Sequence, residues 1–329
     1  MNVVWFDSLG LEDRATAGGK GASLGELRRA SVEVPPGFVV TTAAFRRFVR
    51  DSAAASRDAV EAATVPADIA RDVVDGYARL CADACSDSLP VAVRSSATAE
   101  DGAGASFAGL QDTFLWIRGP LNVLEALRRC WASLYSEPAI AYRRRLDLEE
   151  DGAAMGVVVQ QMVEPRSAGV MFTRSPISGD TSVVVISSSW GLGSSVVGGE
   201  VTPDEFVVNK ITGVVQRSTV SCKEIRHVPN ETGSGTRIEP VSPDLQTKAS
   251  LGPQELRELC DVARRIEKHY GCAQDIEWAI DVLGKVFVLQ SRPETVWNLR
   301  DRDRSQSEVA MPKEKPFDHV VTFFSPRKK

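Results

Sequence analysis

The sequence has 329 residues, of which 43% are apolar and 25% charged, with a formal net charge of −5. That is the composition of a globular chain large enough for two lobes. Basic and acidic residues are interspersed, which leaves no electrostatic footprint for nucleic acid, and no apolar run approaches the ~20 residues needed to span a bilayer.

The opening, MNVVWFDSLGLEDRA, lacks the charged-then-apolar pattern of a leader, so a cytoplasmic protein is expected. The cysteines, Cys81, Cys85, Cys130, Cys222, Cys260 and Cys272, form no CxxC pair and no zinc spacing, and they read as buried thiols.

After a short strand, VVWF, the run Ala17-Gly-Gly-Lys20-Gly-Ala-Ser-Leu-Gly-Glu-Leu27 reads as a glycine-rich turn feeding a helix. Glycines allow close approach to a phosphate, and a helix start offers unpaired N–H groups beside the Lys20 charge. A plain tight turn would look the same, and the spacing is not that of a Walker A loop. Val34 to Thr41 reads as a turn into a strand, and residues 43 to 85 as helices with solvated arginines.

The line Val91-Ala-Val-Arg94-Ser-Ser-Ala-Thr-Ala-Glu-Asp101, continued by Ala105-Ser-Phe-Ala-Gly109-Leu-Gln-Asp-Thr113-Phe-Leu115, is the most informative. A buried strand delivers Arg94 into a loop of small hydroxyl residues, and a second such loop ends at Thr113. An arginine fork with Ser and Thr hydroxyls suits phosphate oxygens, although capped turns alone could use the same residues.

Leu121 to Leu146 is predicted as one amphipathic helical stretch, followed by an acidic linker and a strand from Met155 to Met162. Gln160, Gln161, Met162 and Val163 resemble a strand-to-strand connection lining an adenine pocket, where backbone groups read the base edge. Strands are predicted at Ser167–Thr173, Val183–Ser187 and Glu205–Lys210, a loop at 226–245, and a helix at Pro253–Tyr270 that opens with an acidic turn.

The segment Asp275 to Trp297, DIEWAIDVLGKVFVLQSRPETVW, reads as a β-hairpin turning at Leu283-Gly284. A loop centred there sets Glu277 opposite Gln290 and Asp275 opposite Arg292, all on one face. The other face carries Ile276, Trp278, Ile280, Phe287 and Leu289. Oxygens of Glu277 and Gln290 suit Mg²⁺ alongside phosphate and water, and Arg292 can neutralise phosphate. A solvated face with an ordinary ion pair is the alternative.

The motifs GGKGASLGEL, VAVRSSATAED, ASFAGLQDTFL, VVVQQMV, AGVMFT, VTPDEFVV, DIEWAID and LQSRPETVW occur in order over residues 1 to 297. In these the chain resembles the nucleotide-binding domain of the phosphoenolpyruvate synthase and pyruvate phosphate dikinase family, found also in rifampin phosphotransferase. The resemblance implies an α+β ATP-grasp fold whose two lobes, 1–150 and 151–297, close on Mg-ATP. The tail, 298–329, is charged and carries an apolar segment, Phe317 to Phe324, which suits docking to a partner and equally suits a terminal segment that folds back on its own domain or stays disordered. The resemblance also implies phosphate ligands and catalytic roles for Lys20, Arg94 and Arg292, a phosphate loop at Gly109 and Thr113, adenine contacts at Gln161, Met162 and Val163, and metal ligation by Glu277 and Gln290.

In that family the ATP domain charges a histidine on a swivelling domain, with ATP converted to AMP and phosphate, and a third domain passes the phosphoryl group to an acceptor such as pyruvate. None of His227, His269 and His319 has the glycine-rich setting of such a carrier. The expectation is therefore a split enzyme, similar to phenylphosphate synthase, whose partner subunit supplies the carrier histidine and the acceptor site. A non-catalytic ATP-binding regulatory module and a self-sufficient carboxylate–amine ligase are the alternatives. The chain departs from the family at Gly191-Leu-Gly-Ser194, where Gly-x-Gly-Glu is usual.

Overall fold

The computed structural model describes residues 1–54, 56–98, 112–145, 154–231, 233–295 and 297. Gly109 and the 298–329 tail lie outside the described residues. The chain divides into Met1–Glu294, which contains every element below, and Thr295–Lys329.

Chain order is β1 (Val3–Trp5), α1 (Arg14–Arg29), β2 (Gly37–Val40), α2 (Thr42–Ser52), α3 (Arg57–Ala62), α4 (Ala67–Asp83), β3 (Val91–Ala97), β4 (Thr113–Ile117), α5 (Pro120–Ser133), α6 (Glu137–Arg145) and β5 (Met155–Gln161). Then follow β6 (Pro165–Phe172), β7 (Val183–Trp190), α7 (Ser194–Val197), β8 (Asp204–Asn209), β9 (Val215–Thr219), β10 (Ile225–Pro229), β11 (Thr236–Pro240), α8 (Pro243–Gln246), α9 (Pro253–Tyr270), β12 (Gln274–Asp281) and β13 (Val286–Pro293). The fold is α+β. Five strands make one antiparallel sheet in the order β1-β2-β5-β3-β4, and six make a second in the order β13-β12-β6-β7-β8-β9.

The sheets correct the division expected at residue 150. Strand β5 pairs with both β2 and β3, so the first sheet runs on to Gln161 and the chain crosses to the second at residues 162–164. Four consecutive buried valine and glycine positions, Gly156 to Val159, place β5 in a sheet interior covered on both faces, and an acidic segment just before it carried no information about which sheet it joins. The single helix expected over 121–146 is two, because the chain turns at Leu134–Ser136. The 226–245 region holds the β10–β11 ribbon, whose short strands are tied by an Arg226–Glu239 pair and show no apolar alternation to mark them in the sequence.

Two cores fix the sheets. Phe38, Phe45, Phe48 and Trp131 pack α2, α4 and α5 on one face of the first sheet, with Phe48 stacked on Trp131 at 4.7 Å. The other core joins both sheets: Leu24 and Leu27 of α1 and Val39 and Val158 of the first sheet pack with Leu259 and Ile266 of α9 and Ile276 and Trp278 of β12. Helix α9 is written plainly in the sequence. Pro253 opens it, Glu255 accepts the Gly252 N–H at 2.7 Å, and Gly271 ends it at φ 69°. Its buried residues, Leu256, Leu259, Cys260, Ala263 and Ile266, form a single helical stripe.

A candidate nucleotide site between the two sheets

Arg94 is the residue that joins the sheets. It sits in β3 opposite Thr113 of β4, is 8% exposed, and reaches across to β12 and β13. Its Nη2 donates to Glu277 Oε2 and to Gln290 Oε1, each at 2.8 Å, and its Nη1 donates to the Leu289 carbonyl at 3.0 Å. Among the described residues its Nε is buried with no protein partner.

The hairpin register explains why that carbonyl is available. Asp275 pairs with Arg292 and Glu277 with Gln290, as the sequence predicts, but the register then slips so that Trp278 pairs with Val288. Leu289 is the extra residue of a β-bulge, and its carbonyl is turned out of the ladder towards Arg94. The slip also corrects the predicted apolar face. Val286 and Val288 fall in the core with Ile276, Trp278 and Ile280, whereas Phe287 and Leu289 come to the opposite side, against Ala279 and its neighbours. A bulge changes which residues share a face without leaving a mark in composition.

Beside Arg94, the glycine-rich turn is held against β3. Gly18 breaks α1 at φ 72°, and a Cβ there would stand 1.9 Å from the Ser96 carbonyl oxygen, so only glycine fits. Ser96 Oγ donates to the Ala17 carbonyl at 2.8 Å and accepts the Gly21 N–H at 3.1 Å. This lock aims the second part of α1, with Lys20 near its start, at the same cavity.

That cavity has a volume of about 420 Å³, within the range of small-molecule sites. Lys20, Arg94, Thr113, Glu277, Gln290 and Arg292 line its charged end, and Gln161, Met162 and Val163 line it at the crossing between sheets. Val163, Ala168 and Ala279 form a small apolar cluster with Phe287 and Leu289. The structure thus brings together every described residue expected at the site. Arg292 donates through Nε and Nη2 to Asp275 Oδ2 at 2.9 and 2.7 Å. Burial pushes the Asp275 carboxyl above its ordinary range, and Arg292 pulls it partly back.

Ser194, where the chain departs from Gly-x-Gly-Glu, also lines the cavity, and its partners are not foreseeable from the sequence. Ser194, the first residue of α7, has its Oγ 2.8 Å from His227 Nδ1, and His227 Nε2 lies 3.0 Å from Glu200 Oε2. Nothing in local spacing joins residues 194 and 227, because β10 approaches α7 only in the folded sheet.

The model of the pyruvate phosphate dikinase AMP/ATP-binding domain matches residues 14–313. This chain belongs to that family. Its architecture is α+β, two sheets with a cavity between them, as expected from the resemblance. The chain is 44% identical over 317 residues to a probable phosphoenolpyruvate synthase of Methanothermobacter thermautotrophicus, covering 89% of this chain and 46% of that one. It is 40% identical over 348 residues to the phosphoenolpyruvate synthase of Neisseria meningitidis serogroup B, covering 94% and 44%. It therefore spans less than half the length of these relatives. A solved ADP complex of N5-carboxyaminoimidazole ribonucleotide synthetase overlays with a TM-score of 0.34 at 9% identity, over 85% of this chain and 46% of that one.

Proposed function

We propose that this chain binds Mg-ATP between its two sheets and donates a phosphoryl group from it to a histidine on a separate domain or partner subunit, as the ATP-handling part of a dikinase-type phosphotransferase. The observation that carries the reading is Arg94, which links the first sheet to Glu277, Gln290 and the Leu289 carbonyl in a cavity that also receives Lys20 and Arg292. Phosphoryl transfer is largely positioning and charge neutralisation, so three cations converging from two sheets suit it. The base would lie on the apolar cluster at Val163, Ala168 and Ala279, against the backbone of residues 161–163.

The donor set fits magnesium. Glu277 and Gln290 present hard oxygens from facing strand positions, and Mg²⁺ commonly takes only one or two protein ligands beside phosphate oxygens and water. When bound, the ion would neutralise charge on the transferring phosphates. Arg94 would bind and orient the phosphates, with Lys20 and Arg292 adding positive charge along them.

A separate acceptor histidine is supported by the two described histidines. His227 is 8% exposed and held at both ring nitrogens, and His269 contacts Glu26 at 2.6 Å. The final acceptor, for example pyruvate or a phenol, would be chosen by the part that carries the histidine. A cytoplasmic setting is consistent with six unpaired cysteines. A non-catalytic nucleotide-binding module is the second reading, favoured by Ser194 standing where the resemblance leads one to expect a carboxylate.

The deciding experiment mixes the purified chain with Mg-ATP, with and without a histidine-bearing domain of a phosphoenolpyruvate synthase, and separates AMP, ADP and phosphate. AMP and phosphate that require that domain, together with an acid-labile phosphoprotein, support the transferase. Tight ATP binding with no product in either mixture supports the module.

A further inference from the structure

Ser194 lines the candidate nucleotide cavity, and it is bonded to a His227–Glu200 pair that has no role in the transfer chemistry derived above. Its place along the wall follows from the sheet register. A Cβ on Gly193 would meet Ala168 Cβ at 3.5 Å and Gly169 N at 3.6 Å. Ala168 and Gly169 pair with Ala279 and Trp278, while Glu277 pairs one step further on with Val170. Ser194 therefore stands beside the apolar wall, adjacent to but not within the cluster of charges, where the middle of a nucleotide would pass.

Hydrogen-bond polarity decides what Ser194 can recognise. An ionised carboxylate only accepts, so the 3.0 Å contact to Glu200 puts the proton of a neutral imidazole on His227 Nε2. Nδ1 is then bare and accepts the single proton of the Ser194 hydroxyl at 2.8 Å. The serine is left with lone pairs facing the cavity, which suit a ligand group that donates. Phosphate oxygens at neutral pH accept, whereas a sugar hydroxyl donates. The backbone that carries the imidazole is held as well: Leu192 N–H donates to the His227 carbonyl at 3.0 Å, and a Cβ on Gly191 would meet that carbonyl at 2.5 Å.

We propose that Ser194 accepts a hydrogen bond from a ribose hydroxyl of the bound nucleotide, and that His227, oriented by Glu200, is the positioning residue that holds Ser194 as an acceptor. The relay thereby selects ribonucleotides over deoxynucleotides. This rests on the nucleotide reading of the cavity, and it assigns His227 and Glu200 to substrate selection.

The test is equilibrium calorimetry of ATP, 2′-deoxy-ATP and 3′-deoxy-ATP with the full chain and with Ser194→Ala, His227→Leu and His227→Asn, each checked for folding by thermal melting. The native chain should bind one of the two deoxy analogues about fivefold more weakly than ATP, the loss of one hydrogen bond. Ser194→Ala should bind ATP and that analogue alike, and His227→Leu should lose most of the preference. His227→Asn should keep it, because its Oδ1 still accepts from the serine. A preference that persists in Ser194→Ala, or is absent from a native chain that binds ATP, overturns the relay alone. Failure of the native chain to bind ATP overturns the nucleotide reading and the relay together.

Discussion

Arg94–Glu277 and Lys223–Asp204 are both ion pairs drawn out of water, and they are finished in different ways. Lys223 and Asp204 are fully buried, with Nζ 2.6 Å from Oδ1, and each Asp204 oxygen accepts two hydrogen bonds. Asp204 also accepts the Ser221 N–H on Oδ1, and both the Ser250 N–H and its hydroxyl on Oδ2. This sealed network pins the start of β8 to the segments on either side of β10 and β11. Arg94 and Glu277 retain 10% and 27% side-chain exposure at a cavity, and the guanidinium keeps one buried nitrogen without a protein partner among the described residues. A saturated buried pair holds the fold, and an unsaturated one at a cavity wall is equipped to exchange partners when a ligand arrives.

The contrast can be broken first at its structural end. Lys223→Met should strand the buried Asp204 charge and cost about 3–5 kcal/mol, read as a large drop in the denaturant midpoint, with the remaining folded protein still binding nucleotide. Arg94→Ala should do the reverse. Glu277 is exposed enough to hydrate, so the melting temperature should change little, while phosphoryl transfer in the reconstituted assay falls by about 10²-fold or more. A variant of Arg94 that unfolds like Lys223→Met would erase the distinction.

The smallest effect belongs to an exposed pair. Arg47 grips Asp68 through two 2.6 Å bonds that tie α2 to the first turn of α4, and the hydrogen bond from Arg47 holds the Asp68 carboxyl down from 3.8 to about 2. A depressed folded-state value means stability that is present above the ordinary value and lost as pH falls through the lowered one. Acid titration of stability should therefore show a loss between about pH 4 and 2 that is smaller in Asp68→Asn.

Much of the site could be read from local pattern. The turn at Leu283-Gly284 and strand alternation place Asp275 with Arg292 and Glu277 with Gln290, because pairing within a hairpin depends only on residues close in sequence. The glycine turn at Gly18 and the bounds of α9 follow from backbone conformation and capping in the same way. Four features could not be read so: the bulge at Leu289, the membership of β5 in the first sheet, the β10–β11 ribbon, and the partnership of His227 with Ser194.

The sequence by itself determined the family, most of the elements and the chemical inventory of the cavity's charged end, since motifs, turn residues and side-chain periodicity act over a few positions. Only the tertiary structure decided that Arg94 meets Glu277 across 183 residues of chain and that a bulge turns the Leu289 carbonyl to receive it. Such contacts are set by how whole sheets pack through α1 and the shared core, and packing depends on many weak apolar contacts acting together rather than on any local signal.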